Sequence, residues 1–477
     1  MKLSELFEGK EVSSENDINI ASITDDSRKI IPDTLFFCIK GEKFDGHSVA
    51  KDVLEKGAAA VVCERDLGLG EKQILVEDTR DAYGYACAAW FSHPEKKIKL
   101  IGVTGTNGKT TTTKVIKHII ELCGHKTGLM GTIQNEIGDR VVETANTTPF
   151  VYDFMQILDM MVKEGCEYAV MEVSSFGLVQ KRIGPSHFDV AIFTNLTQDH
   201  LDYHKTMENY YQAKKLLFKK CDAAVCNADD EYGVRLYKEI DCKKYTYSIK
   251  KKADFHADAI KLRADGTSFW FCANEKSYMV NMQMLGSFNV SNVTSAIAAC
   301  LILGFSIEKI LAAVADCQGV KGRCETIPTG RNFSVVCDYA HTPDAIENIL
   351  KSVKEYTEGR LICLFGCGGN RDKTKRPKMM KAAEKYADLV IVTSDNPRDE
   401  EPLDIIKDIL AGADSSTEYI VVADRKEAIF KSLEIAKKGD VIVLAGKGHE
   451  DYQILKNNVH IHMDEREIVK EGLERLN

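Results

Sequence analysis

The chain has 477 residues, too many for one hydrophobic core, so two to four domains are expected. Its composition, 44% hydrophobic and 28% charged with a formal charge of -9, is that of a globular protein whose main partner is not nucleic acid. No apolar run approaches the roughly 18 residues of a membrane span, and MKLSELFEGKEV lacks a basic-then-apolar leader, so a cytoplasmic protein without a membrane partner is expected.

Residues 1 to about 95 alternate short apolar runs, TLFFCI and AAAVVC, with polar helical stretches. HPEKKIK, residues 93–99, is a charged, proline-bearing link into the central domain. Next, KLIGV, the turn TGTNGK and the run TTTTKVIKHIIELCG predict a strand, a glycine-rich loop and a helix closing at Gly124. YAVMEV, DVAIFTNL and AAVCNAD continue as buried strands between helical segments, the rhythm of a parallel sheet with crossover helices. YTYS and SFWFC read as antiparallel strands, and GSFNVSNVTSAIAACLILG as a tightly packing helix of small residues. After GVKGRCE, the runs SVVCDYA, LICLFG, LVIVTSD, YIVVAD and VIVLAG alternate with amphipathic helices. The fold class expected is α/β in three domains: a small N-terminal α/β domain (1–95), a central P-loop ATPase-like parallel-sheet domain (96–322) and a C-terminal Rossmann-like domain (323–477). The fifteen cysteines are odd in number, have no C-x-x-C pair and often sit in apolar runs such as those ending at Cys63 and Cys337. They read as buried reduced thiols, not as a disulfide frame or zinc site.

GVTGTNGKTT, residues 102–111, carries the strongest local chemistry. Gly105 and Gly108 let backbone N–H groups turn toward a phosphate. Lys109 adds a point charge, Thr110 can ligate magnesium, and the adjoining helix offers its positive end. Val103 stands where the common phosphate loop has glycine, so this is a variant, G-x-x-G-K-T. A helix-capping turn that binds nothing is the plain alternative; the strand before and helix after favour a nucleoside triphosphate. EVSS (172–175) and TNLTQDHLDYH (194–204) also fall at strand ends, which form one crevice in an open parallel sheet. Glu172 and His200 could meet the magnesium ion there, although imidazole is an unusual ligand for it. His200 and His204, four residues apart, also invite zinc but lack the glutamate of H-E-x-x-H, and for His204 a satisfied polar residue is the preferred reading. TSDNPRDEEP (393–402) crowds Asp395, Asp399, Glu400 and Glu401 around Arg398 where another strand ends, and surface ion pairing is its plain reading.

The motifs GTNGKTT, NTTP (146–149), MEVSS, FTNLTQDHLDYH, GSFNVSN, DYAHTPDA, FGCGGNRDKTKRP, SDNPR and AGKGHEDYQ occur in the order seen in the Mur ligases, and the chain resembles that family over nearly its whole length. The resemblance is weakest in residues 1–90 and 231–280. It implies an ATP-dependent amide-forming ligase that adds meso-2,6-diaminopimelate to a UDP-muramoyl-dipeptide through an acyl phosphate, with Mg2+ as cofactor and ATP as a substrate. A monomer with small-molecule partners is expected. Under the resemblance Gly105, Thr106, Asn107, Gly108, Lys109, Thr110, Thr111, Asn289, Arg323 and Asp338, with His341 beside them, contact ATP. Ser27, Glu42, Lys43 and Phe44 line the uridine end, and Asn146, Thr147, Thr148, Ser174, Gln180 and Arg182 the muramoyl-dipeptide end. Arg371, Asp395, Asn396, Pro397, Arg398, Gly446 and Glu450 take the diaminopimelate. Thr110, Glu172, His200 and a carbamylated Lys214 are implied as the metal set, with Lys109, Lys214 and His200 catalytic. Phe176 departs from the family, which often has histidine there. A folate polyglutamate ligase, a lysine-adding ligase and a P-loop switch protein stay open as alternatives.

Overall fold

The computed structural model describes residues 1–7, 17–41, 44–144, 146–263, 266–414 and 417–476. They form two compact units, residues 1–255 with 295–310 and residues 256–294 with 311–477. Each unit is built on parallel sheet.

The first unit opens with strands β1 Ser22–Thr24, β2 Thr34–Phe37, β3 Ala58–Cys63 and β4 Gln73–Leu75, paired in that order and all parallel. Continuous apolar runs are what a sheet covered on both faces requires, and the two-residue period divides them cleanly. Leu35, Phe37, Ala60 and Val62 pack with Tyr83, Ala86 and Cys87 of the helix Thr79–Trp90. Phe36, Cys38, Val61 and Cys63 face the other way, onto Ala50 and Val53.

The same unit continues with β5 Lys99–Thr104, β6 Thr127–Met130, β7 Asn135–Ile137, β8 Arg140–Val142, β9 Tyr168–Glu172, β10 Phe188–Phe193, β11 Cys221–Asn227 and β12 Lys243–Ser248. Their order is β12-β11-β10-β5-β9-β6-β7-β8, parallel from β12 to β6 and antiparallel at the β7 and β8 edge. Strand β5 thus lies in the middle, flanked by β9 and β10. The helix Lys109–Leu122 comes after it and buries Val115, Ile116, Ile119 and Ile120, the spacing of one helical face. The expectation for YTYS is corrected here: it lies in β12, which pairs parallel with β11. Its half-buried pattern resembles an antiparallel edge, but the helix Glu231–Glu239 between the two strands is a crossover, and a crossover returns the chain parallel.

In the second unit β13 Phe255–Arg263, β14 Gly266–Ala273 and β15 Lys276–Met282 come first. β14 and β15 pair antiparallel, as SFWFC predicts, across Asn274 and Glu275, both at positive φ as a two-residue hairpin turn demands. The C-terminal sheet holds β16 Glu325–Ile327, β17 Ser334–Asp338, β18 Leu361–Phe365, β19 Leu389–Val392, β20 Glu418–Val421 and β21 Val441–Ala445, ordered β16-β17-β21-β18-β19-β20. All its pairings are parallel except that of β16. Cys363, Phe365, Val390, Val392 and Val443 pack against Ile346, Ile349, Met379, Met380, Ile405 and Ile409 of three crossover helices. Ile362, Leu364, Ile391, Ile442 and Leu444 pack on the opposite side against Ala428, Ile429, Ile468 and Val469. Both cores run the length of the strands, so the loops beyond the strands' C-terminal ends rest on a rigid base. β22 Tyr452–Leu455 and β23 Val459–His462 form a closing hairpin.

No helix among the described residues is long and apolar enough to cross a membrane. All fifteen cysteines are free, and all but Cys242 and Cys272 are buried, as their apolar settings predict.

Candidate active site

In the first unit the loop 105–108 leaves the C-terminal end of β5 and turns into the helix Lys109–Leu122. Gly105 has φ +148 and Gly108 φ +86, and a Cβ on Gly105 would collide with Thr194 Oγ1, so only glycine fits that position. The segment after β10 straps the loop. Thr106 N donates to Asn195 O (2.8 Å), Asn107 N to Asn195 Oδ1 (2.9 Å) and Thr194 Oγ1 to Asn107 O (2.6 Å). Lys109 Nζ curls over the loop to donate to Gly105 O (2.9 Å) and Thr106 O (2.8 Å). Thr111, one residue further into the helix than Thr110, is buried.

Lys214 reaches the same carbonyl from the helix Met207–Lys215, donating to Gly105 O at 2.8 Å, with its ammonium 4.5 Å from the centre of the Tyr210 ring. Its side chain is 1% exposed. Burial, and then the charge of Lys109, push its pKa well below the ordinary lysine value, with Asp199 opposing. Two cations converging on one carbonyl out of water is costly, and for Lys214 burial acts toward the neutral form.

Glu172 ends β9 and is buried. Its Oε2 accepts Thr110 Oγ1 (3.1 Å) and Thr132 Oγ1 (3.0 Å), and its Oε1 accepts Thr132 N (2.9 Å). Thr147 Oγ1 lies 3.1 Å from Thr132 Oγ1. This oxygen-only set beside the phosphate loop suits a hard divalent cation such as Mg2+. His200, at φ +52, packs edge-on to Phe176 and Tyr210, and its Nε2 lies 3.5 Å from Asp199 Oδ2. His204 is buried, bonded to Ser175 Oγ (2.9 Å) and stacked on Tyr210. Phe176 fills the space among His200, Tyr203 and His204.

The dipeptide residues gather at the same strand end. Thr148 Oγ1 donates to Glu172 O and accepts Ser174 N, both at 2.9 Å. Arg182 Nη1 donates to Thr148 O (2.8 Å), its Nη2 to Gln180 Oε1 (2.8 Å), and its guanidinium lies 3.9 Å from the Phe150 ring centre. Ser174 caps the helix Ser175–Val179 by accepting Gly177 N, and Asn146 O accepts Thr144 Oγ1. Ser27 sits in a turn whose Asp26 carboxylate binds the exposed Arg28. Phe44 is exposed, while Glu42 and Lys43 lie outside the described residues.

The remaining expected residues belong to the second unit. Asn289 is buried and donates to Leu285 O (2.8 Å). Asp338, at the end of β17, accepts Cys324 N (2.7 Å) and Ala340 N (2.8 Å); burial raises its carboxyl above the ordinary value, opposed by Arg323. The Arg323 guanidinium lies 4.9 Å from the Tyr339 ring centre, and among the described residues its buried Nε has no hydrogen-bond partner. His341 Nδ1 is 2.9 Å from Tyr339 O.

Asp395 to Arg398 come after β19, and Gly446 to Glu450 after β21. Arg398, at φ +52, directs Nη1 at two carbonyls, Gly369 O (3.1 Å) and Asn396 O (3.4 Å). Among the described residues it pairs with none of the acids beside it. Glu400 is taken by Arg376 (2.9 Å) and Lys373 (3.1 Å), and Asp399 by Asn370 Nδ2 (2.8 Å). Asn396 Nδ2 donates to Glu450 Oε2 (3.0 Å), and the wholly buried Lys447 bridges Asn396 Oδ1 (2.9 Å) and Glu450 Oε2 (2.7 Å). Gly446 has φ +118, and a Cβ there would lie 2.7 Å from Asp395 Oδ2. Arg371 is exposed, its Nη1 3.4 Å from Asn370 O. The strand order places β18, β19 and β21 side by side, so these loops line one rim of fixed groups that offers cations, carboxylates and amides to a zwitterion.

Reading by residue type passes over Thr132, Thr194, Asn195, Lys447 and Arg425. Thr194, Asn195 and Lys447 lie inside motifs, FTNLTQDHLDYH and AGKGHEDYQ, but neither motif says which residue braces and which binds. Thr132 and Arg425 carry no motif signal.

Residues 19–90 match the catalytic domain of the Mur ligase family, 103–300 the Mur ligase middle domain and 322–448 the Mur ligase glutamate ligase domain. The chain is 46% identical over 486 aligned positions to UDP-N-acetylmuramoyl-L-alanyl-D-glutamate--2,6-diaminopimelate ligase of Clostridium tetani, covering 100% of both chains. It is 44% identical to the same-named protein of Geobacillus kaustophilus, covering 95% of this chain and 94% of that one. A solved structure of a ligase of this name superposes with a TM-score of 0.76 at 32% identity, covering 100% of this chain and 99% of the other. The MurF ligase of Thermotoga maritima in complex with ADP shares the fold, with a TM-score of 0.60 at 20% identity over 96% and 98% of the two chains. A strapped phosphate loop, a carboxylate at the neighbouring strand end and full-length identity of this order lead to one assignment: the chain belongs to the Mur ligase family and has its three-domain α/β architecture.

Proposed function

We propose that the protein is the ATP-dependent ligase that joins meso-2,6-diaminopimelate to UDP-N-acetylmuramoyl-L-alanyl-D-glutamate in peptidoglycan precursor synthesis. The observation that carries this reading is Arg398, a guanidinium braced by carbonyls while its neighbours Asp399 and Glu400 are engaged elsewhere. Full-length relatives named for that reaction support it. Diaminopimelate has one more carboxylate than lysine, and a guanidinium accepts it through two parallel charge-assisted bonds. Lysine brings no anion to this point and leaves the cation unmatched, so one residue both selects and rejects.

The chemistry has two steps. An oxygen of the substrate carboxylate attacks the γ-phosphorus of ATP, ADP departs, and an acyl phosphate forms. The amine of diaminopimelate then attacks the acyl carbon, the carbon–oxygen bond to phosphate breaks, phosphate leaves and the nitrogen loses a proton. Lys109 and the N–H groups of residues 105–110 balance the charge gathering on the transferred phosphoryl group, the main demand of such a step. Magnesium, when bound, would add Lewis-acid charge neutralisation there; Thr110 and Glu172 fit it, and the family set adds His200 and a carbamylated Lys214. A lysine amine takes up carbon dioxide only when neutral, which is the state its burial favours; the N–C bond forms and one proton is released. Thr147, Thr148, Ser174, Gln180 and Arg182 hold the dipeptide end beside Glu172, and Ser27 with the segment through Phe44 holds the uridine end. We further propose domain limits near residues 95 and 322, a cytoplasmic location and action as a monomer.

A panel of amino acids offered with UDP-muramoyl-dipeptide and ATP tests the reading. Tripeptide and ADP should form with diaminopimelate and far less with lysine; preference for lysine would overturn it.

A further inference from the structure

Among the described residues Arg425 donates no side-chain hydrogen bond to a member of the proposed diaminopimelate set, yet it holds the carbonyls next to that set. It opens the helix Arg425–Glu434, and its side chain is wholly buried. Nη1 donates to Ser394 O (3.1 Å) and Nη2 to Ala445 O (2.8 Å). Those carbonyls belong to the residues immediately before Asp395 and Gly446, and these two nearly touch across the rim. Nε donates to Glu465 Oε1 (2.9 Å), whose other oxygen accepts the Cys337 thiol of β17 (3.2 Å). One planar fork therefore ties the ends of β19 and β21 together, and its counter-ion ties both to β17.

A buried ion pair is a poor device for stability, since two well-packed apolar side chains of similar volume often serve as well or better. What the fork supplies and an apolar pair does not is direction: three donors in one plane fix the separation of two carbonyls. We propose that Arg425 is a positioning residue for amino-acid selection, setting the spacing between the Asp395–Arg398 loop and the Gly446–Glu450 loop so that Arg398 meets the distal carboxylate. This rests on the reading of the protein as a diaminopimelate ligase.

The test is the double variant R425M/E465M, which removes both buried charges together and avoids stranding either one. A single variant, R425K, keeps the charge and loses the fork. The control is R360M, which breaks the Arg360–Asp440 pair (2.8 Å) just before β18 and β21, at the opposite, N-terminal ends of the strands of the same sheet. With folding checked by thermal melting, the double variant should raise KM for diaminopimelate by about tenfold or more, the scale of small misplacements of binding groups. It should also narrow the preference for diaminopimelate over lysine, with KM for ATP unchanged. R425K should recover little, and R360M should lower the melting temperature without moving either KM. A folded double variant with normal KM and selectivity would overturn the positioning role. Wild-type protein that makes no product from diaminopimelate would instead overturn the reading beneath it, a separate result.

Discussion

At the scale of single residues the two unusual cations are Arg398 and Lys214. Arg398 is half-buried and held on carbonyls, so a carboxylate reaching it displaces little. Removing one partner of a largely desolvated charged pair costs about 2–5 kcal/mol. Arg398→Ala should accordingly raise KM for diaminopimelate steeply while leaving KM for ATP nearly unchanged, as initial-rate kinetics will read; unchanged use of diaminopimelate would remove its assigned role. Lys214 gives two expectations. Lys214→Ala should be inactive and partly restored by small added carboxylates, if a carbamate is what the site needs. Its effect on stability has a definite sign. The folded pKa is depressed, so between that value and the unfolded one of about 10.4 the unfolded chain holds a proton that the folded chain lacks. Stability therefore rises with pH in this window and is lost as pH falls through it. In carbon-dioxide-free buffer Lys214→Met should be the more stable protein at neutral pH, and its advantage should shrink as pH approaches about 10. Urea titrations across that range would show it, and a pH-independent difference would contradict the buried neutral amine. Arg398 was legible because it stands in the motif SDNPR, and Lys214 only because the family resemblance implies it. Arg425 was not, because its partners lie 20, 31 and 40 residues away in sequence and two of them are backbone carbonyls with no residue type to read.

Among elements, the strand–loop–helix unit around Gly105 was the most legible, since glycine, lysine and threonine there answer directly to backbone shape and phosphate charge. Buried strands were nearly as plain, because an unbroken apolar run admits few other readings. YTYS misled because its alternation is local, whereas the direction of a strand is set by the helix that returns the chain. The strap formed by Thr194 and Asn195 was invisible for a similar reason: its role exists only once β10 lies beside β5. That adjacency is testable. Gly105→Ala should weaken ATP binding by about tenfold or more, through both the disfavoured φ and the collision with Thr194 Oγ1. Adding Thr194→Ala should recover part of the loss, a coupling of about 0.5–3 kcal/mol in a double-mutant cycle read by nucleotide titration. Strict additivity would mean that the loop does not lean on β10.

For the whole molecule, the phosphate loop and the rim proposed for diaminopimelate belong to different compact units, and the proposed reaction is likewise divided into activation and capture. The order is then open to a direct check. With 18O in the substrate carboxylate, label should pass into released phosphate, as an acyl phosphate requires; label in AMP would establish adenylylation and replace the mechanism. The uridine end proposed for residues 1–90 was the least legible part, since its motifs are short and the residues proposed there, such as Ser27, are of common type.

The close approach of Gly446 to Asp395 also bears on how this enzyme can evolve. With φ +118 and the Asp395 Oδ2 atom 2.7 Å from where a Cβ would stand, any side chain at Gly446 would strain the backbone and press on that carboxylate. A compound seated against Gly446 would thus press on a point that cannot acquire a blocking side chain without disturbing the proposed diaminopimelate seat. Resistance would have to arise elsewhere, through uptake, expression or more distant residues of the rim, and selection experiments with such a compound should return few substitutions at position 446.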